Sequence, residues 1–432
     1  MRTSRTRGTA VPRPAANAAP PVAQARSTSP ATTTAGAVAV AGVPARGAPA
    51  GAERARLADP RTGELIRRGG FARFAERFPA TLHEARGVRA AERLVDAWGT
   101  ALWQAAVDRA QGRWPGGDGP GDGPAPGDDR PLYWTRLAMA DRLERWQPRF
   151  PVDRAALRTR FEDASRGLRD NGFRPRPGVR RIFVSGFDPF NLDRDVRTAN
   201  PSGAAALALN GRRITLDDGT RAEVRAVVLP VRYADFDRGL VERAFAPRMA
   251  AGPRAADLIT TISQGYPDRF TLEEWAGRAR SADPHTDNDG LLSGGTRDRP
   301  VTAPGMGLGP EFIRSTLPAG AMTAAADTPY PVLLNSAVTE IPAGGTSPAD
   351  RTDGPTPGAR AVAGGGGGYL SNEVAYRSNR LRLELRPGLP GGHLHTPVLT
   401  GLPADGTLLT GPEFEANQAA ITAEILAVLK AC

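Results

Sequence analysis

At 432 residues the chain is long enough for two domains and a sizeable core. Fifty glycines and forty prolines assign much of it to turns and loops. The net charge of +10 is no sign of nucleic-acid binding: residues 1–60 alone supply +6, through Arg2, Arg5, Arg7, Arg13, Arg26, Arg46, Arg54 and Arg56 against Glu53 and Asp59, and no basic run is interleaved with aromatic residues.

Cys432, the last residue, is the single cysteine, which excludes an intrachain disulfide and a cysteine zinc site and leaves the redox compartment open. No stretch reaches the length of an apolar membrane span, so no integral membrane segment is expected. Residues 1–55 are an Ala/Pro-rich, aromatic-free segment whose composition predicts disorder. Arginines near Met1, an apolar patch at 35–43 and small residues at 48–50 follow the order of an export signal, so secretion is one expectation and a cytoplasmic protein with a disordered tail is the other.

From 65 to 113 the pattern is helical, with Leu94, Trp98, Leu102 and Ala106 on one face. Glycine, proline and aspartate at 114–124 predict a flexible break. Helical spacing resumes with Leu132, Leu137, Met139, Leu143 and Trp146, then Leu157, Phe161 and Leu168, giving a helical region over 56–180 whose aromatic stripe is read as core packing. At Arg181 the texture changes to β-prone runs at 181–185, 224–231, 257–263, 331–335 and 395–399, with helical stretches at 236–245 and 310–317 between them. That alternation predicts an α/β domain over 181–432 with a mostly parallel sheet and its site at the strand ends. Residues 340–368 are expected to be a long loop insertion.

Ser371 follows the run 364–368 of five glycines, and His395 lies twenty-four residues further on. A hydroxyl after a flexible turn with a downstream imidazole is the outline of nucleophilic acyl transfer. His393 and His395 have no third metal ligand nearby, so no metal or other cofactor is expected. Glu273 taken alone reads as a helix-start carboxylate, and His83 and His285 read as surface residues.

In chain order the chemistry-bearing motifs are Gly186-Phe187-Asp188-Pro189-Phe190, Asn200-Pro201-Ser202-Gly203, Ser263-Gln264-Gly265, Phe270-Thr271-Leu272-Glu273, Asp287-Asn288-Asp289-Gly290, Tyr369-Leu370-Ser371-Asn372 and His395-Thr396-Pro397. Together they resemble the pyroglutamyl peptidase I (pyrrolidone-carboxylate peptidase) family over about residues 181–430. The resemblance implies a three-layer α/β/α sandwich, removal of N-terminal pyroglutamate from a peptide or small amide, and a cysteine–histidine–glutamate site that needs no cofactor. Carried onto this chain, the nucleophile is Ser371 in place of cysteine, the base His395 and the carboxylate Glu273. Phe187 and Phe190 would flank the lactam ring, with Gln264, Asn200 and Asp287 completing the substrate site. Glu373 departs from the family pattern, and Pro284 and His285 stand near where the family has an arginine. An alcohol needs general-base assistance that a thiolate does not. The alternative is therefore an inactive binding protein that keeps the lactam pocket, with the helical region supplying partner contacts; homo-oligomerisation is left open.

Overall fold

The computed structural model describes residues 51–114, 123–325 and 329–432, all within one unit, Pro49–Cys432. The tail and export readings, and most of the break at 114–124, lie outside the described residues. Of the tail only 51–55 are described, and there Ala52–Ala55 form a helical turn. Its Glu53 is buried, accepting from the Tyr133 hydroxyl at 2.9 Å and pairing with Arg232 at 2.8 Å.

The helical region comprises Pro60–Arg68, Ala72–Glu84, Val88–Ala110, Arg130–Arg145 and Arg154–Ser165. Local rules set its starts: the Asp59 carboxylate accepts from Arg61 N–H beside Pro60, and Asp153 accepts from Ala156 N–H. The predicted stripe is core, with Trp98 edge-on to Phe74 and Phe78 at 5.9 Å.

The α/β part carries a seven-stranded sheet in the spatial order Val332–Asn335, Phe270–Glu273, Gly391–Thr396, Leu258–Gln264, Val179–Phe187, Arg221–Leu229, Arg213–Thr215. Pairing is parallel except where Gly391–Thr396 meets Phe270–Glu273 and where the last strand meets Arg221–Leu229. Because strand side chains alternate, Ile182, Val184, Leu258 and Leu394 share a core with the N-terminal helices. Phe183, Phe187, Ile259 and Leu229 face the other way, onto the helices Leu240–Met249 and Leu370–Leu385. The result is α/β, with helices over both faces of the sheet and a helical N-terminal region continuous with one core.

Three local expectations change. Glu273 ends a strand rather than starting a helix. The stretch 310–317 contains the strand Phe312–Arg314, which pairs with Trp275–Gly277. The insertion at 340–368 contains a three-stranded antiparallel sheet of Val338–Ile341, Ala349–Arg351 and Arg360–Ala363. All three depend on cross-strand pairing, which local propensity does not register.

Burial and the neighbouring Glu53 push the Asp289 carboxyl up to about 6. Its raised folded-state value means the cost appears as pH rises from the ordinary carboxylate value through 6. Asp289→Asn is expected to stabilise the protein at pH 7 by about 1 kcal/mol, and to match wild type below about pH 4. Urea unfolding of both proteins at the two pH values measures this; an equal gain at both would refute the electrostatic cause.

Candidate active site

Register across the sheet builds the site. Asn335, Glu273, His393, Thr261 and Ser185 lie opposite one another on five adjacent strands, all on the face that receives the helix Leu370–Leu385. This row is polar, as is the adjacent row of Thr271, His395 and Ser263, and the buried members must find partners in the interior. Glu273 does so three ways: Oε1 accepts from Thr271 Oγ1 at 2.5 Å and His395 Nδ1 at 2.8 Å, and Oε2 from Asn335 Nδ2 at 2.6 Å. The Nδ1–H of His395 is thereby directed at the carboxylate, leaving Nε2 for chemistry.

The glycine run crosses directly above this pair. A Cβ on Gly365 would lie 2.1 Å from Glu273 Oε2, and one on Gly366 would lie 2.5 Å from His395 Cε1. Any side chain there would displace the imidazole or its carboxylate, which explains the composition of the loop. Asn335 ties the loop to the pair by donating also to Gly365 O at 3.0 Å.

After the glycines, Tyr369 immediately precedes the sixteen-residue helix Leu370–Leu385 without a side-chain capping bond, and Ser371 sits in its first turn, half-buried. The first N–H groups of a helix lack intrahelical acceptors and carry partial positive charge, so the helix start offers donors for a developing oxyanion. Asn372 fixes the helix start by accepting from Gly277 N–H and donating to Gly277 O, both at 2.8 Å. Glu373 is buried between Arg280 and Arg377, so the departure from the family pattern is an internal ion cluster rather than part of the imidazole site.

A cleft of about 670 Å³ opens at this end of the sheet. Phe187, Phe190, Asn200, Gln264, Asp287, Ser371 and His395 line it, while Glu273 lies beneath His395. Within the cleft Phe187 stacks on Phe236 at 6.1 Å, whereas Phe190 is the more open ring. The polar atoms of two predicted contacts are committed inside the chain. Asp287 accepts from the N–H groups of Tyr233, Asp289 and Leu291. Asn200 accepts from Ser202 and donates to Asp188 O. Ser371 Oγ donates to the carbonyl of Gly366, the residue whose missing Cβ leaves room for the imidazole, at 3.2 Å.

Sequence reasoning missed Asn335, Thr261, Ser263 and the role of His393. The signal lay in three i, i+2 polar pairs, of which only Thr261 with Ser263 stood wholly on a predicted strand run; the others are Thr271 with Glu273 and His393 with His395. It also missed what the N-terminal helices do. Arg136 and Arg166 both bind the buried Asp188 of the Gly-Phe-Asp-Pro-Phe motif, the latter at 2.6 Å. Asp129 accepts from Asn200 N–H at 3.2 Å, and Arg56 donates to Asn288 O at 2.7 Å. The helical region thus grips the loops that form the cleft. Among the described residues no group of three or more metal-ligating side chains converges, and no helix is long and apolar enough to cross a membrane.

Among solved structures, the pyrrolidone carboxyl peptidase from Thermococcus litoralis is 18% identical and covers 58% of this chain and 94% of its own, with a TM-score of 0.38. A mutant pyrrolidone carboxyl peptidase from Pyrococcus furiosus is 20% identical, covers 58% and 98%, and has the same TM-score of 0.38. The uncharacterized protein PA0049 of Pseudomonas aeruginosa is 35% identical over 470 aligned positions, covering 86% of this chain and 84% of that protein. The model of the PA0049 N-terminal domain matches residues 34–162, that of the PA0049 C-terminal domain matches 181–308 and 332–400, and the chain belongs to the PA0049 family.

Proposed function

We propose that the protein is an amide hydrolase that removes N-terminal pyroglutamate or cleaves a related small amide, using Ser371, His395 and Glu273. The observation that carries this reading is the buried Glu273–His395 pair at 2.8 Å on the wall of a cleft that also holds a serine at a helix start. Ser371 Oγ attacks the carbonyl carbon as its proton passes to His395 Nε2, with Glu273 holding Nδ1–H and balancing the imidazolium. Backbone N–H groups at the start of Leu370–Leu385 receive the oxyanion. The amine departs with the proton from Nε2, and water then releases the acyl group by the reverse sequence. A planar lactam suits a cleft walled by Phe190 and Phe187. The motif resemblance supplies the substrate class.

A second reading, a binding protein that retains the lactam pocket, is favoured by one observation: at rest Ser371 Oγ is bonded to Gly366 O rather than to an imidazole. A pyroglutamyl-linked chromogenic amide separates the two. Wild-type hydrolysis that Ser371→Ala abolishes is the expected result. Activity only in Ser371→Cys marks a relic site, and a silent Ser371→Cys whose wild-type parent is thermally stabilised by pyroglutamate supports the binder.

A further inference from the structure

In the run Ala48-Pro49-Ala50-Gly51, small side chains stand one and three places before the Ala50–Gly51 bond. The arginines near Met1 and the apolar patch at 35–43 precede it, the order that an export peptidase reads. The residue after that bond has an unusual neighbour. Gly51 lies against Asp289: a Cβ on it would stand 2.6 Å from Asp289 Oδ1 and 3.3 Å from Cγ. The contact continues along the chain, since a Cβ on Gly290 would meet that of Ala52 at 3.3 Å.

Asp289 lacks a partner for its charge. Among the described residues nothing donates a hydrogen bond to its carboxylate, while its own N–H is given to Asp287 Oδ1 at 2.9 Å. Arg232 acts on it only through space, because the three nitrogens of that guanidinium face Glu53, Glu162 and Asp235. Burial and Glu53 push the Asp289 carboxyl up to about 6, with Asp287 adding to the rise and Arg232 and Arg158 opposing it. A half-buried carboxylate crowded by two others favours a cation beside it.

Hydrolysis of the Ala50–Gly51 bond supplies one. Water adds across the peptide, leaving Ala50 with a carboxylate and Gly51 with an amine that is protonated at neutral pH. While Ala50 is attached, the same nitrogen is an uncharged amide. The Gly51 carbonyl is held by the N–H groups of Arg54 at 2.9 Å and Ala55 at 3.2 Å, so a freed amine pivots about the Gly51 Cα–C bond. A turn of about 120° between staggered positions carries it to where a Cβ would stand, beside Asp289 Oδ1. Glycine leaves that position open. We propose that a peptidase selecting small residues at those two places removes residues 1–50, and that the Gly51 ammonium so created pairs with Asp289 and fixes the loop 287–290. That loop carries Asp287 and Asn288 of the cleft wall, and Arg56 already holds it through Asn288 O. Export presents the bond before folding, so the half-burial of Gly51 does not protect it. Nothing in this inference depends on the reaction at Ser371.

Protein produced from the full gene in a bacterial host with an export pathway is expected to begin at Gly51, read by intact mass and N-terminal sequencing. Any other first residue overturns the processing step. Three chains then isolate the ion pair: one keeping residues 1–50, one beginning at Gly51 and one beginning at Ala50, the last two freed of their initiator Met by methionine aminopeptidase. The gain expected above for Asp289→Asn at pH 7 belongs to the chain that keeps residues 1–50. In the chain beginning at Gly51 the same replacement should instead lower Tm by about 2 °C. The chain beginning at Ala50 has its amine one residue too early and should follow the long chain. A shift of the same sign in all three overturns the ammonium–Asp289 pair, whether or not the protein hydrolyses a pyroglutamyl amide.

Discussion

Glu273→Gln is expected to lower kcat on a pyroglutamyl amide by roughly a thousand- to ten-thousandfold with little change in KM. The carboxylate accepts from three donors at once: Thr271, His395 and Asn335. A carboxamide of the same size has only one acceptor oxygen. If that oxygen faces Asn335, the amide nitrogen faces His395 Nδ1 and favours the tautomer with its proton on Nε2, which cannot take one from Ser371. If it faces His395, Asn335 loses its acceptor, and with it one of the two bonds that hold the glycine turn. Either placement also removes the charge that balances the imidazolium during attack. Steady-state kinetics, with the unfolding midpoint measured alongside, test this; a loss below tenfold in a well-folded variant would remove Glu273 from the triad.

The parts of this site visible in the sequence are those that depend on local order. Asp188 between two phenylalanines, Glu273 on its short run, the five glycines and His395 each stand in a motif whose order survives in the primary structure. The strand run at 181–185 falls within an observed strand, and all of 257–263 except Asp257 does so too. What stayed hidden is produced by register. Asn335 and Glu273 are 62 residues apart and meet only because their strands pair in parallel, while His393 meets Thr261 across 132 residues. Composition concealed the N-terminal helices for a related reason. No local pattern marks their arginines as buried, yet Arg130, Arg136 and Arg166 are all buried against partners in or around the cleft-forming loops. A buried arginine is legible only once its carboxylate is known.

Asp188→Ala is expected to destabilise the protein by about 3–5 kcal/mol, because it leaves buried guanidinium groups without their shared counter-charge. Asp188 is 2% exposed and accepts from Arg136 through Oδ1 and from Arg166 through Oδ2. Burial raises the cost of ionising Glu162, but Arg232, Arg166 and Arg136 outweigh it and hold that carboxyl well below its usual range. Glu162 is therefore already the ionised partner of three arginines and cannot replace Asp188 for two of them. Arg136 is the weaker arm: burial and the neighbouring Arg166 lower its proton affinity, and its second terminal nitrogen has no hydrogen-bond partner. Arg136→Met should accordingly cost less than Asp188→Ala, since Arg166 then keeps both carboxylates. The loss at Asp188 should also reach the cleft. Its N–H bonds Leu229 O, its carbonyl accepts from Asn200, and it separates Phe187 from Phe190 by a few bonds. Urea unfolding of Asp188→Ala and Arg136→Met gives both free energies. A cost below about 1 kcal/mol for Asp188→Ala would mean that the N-terminal helices do not hold the substrate loop through this ion cluster.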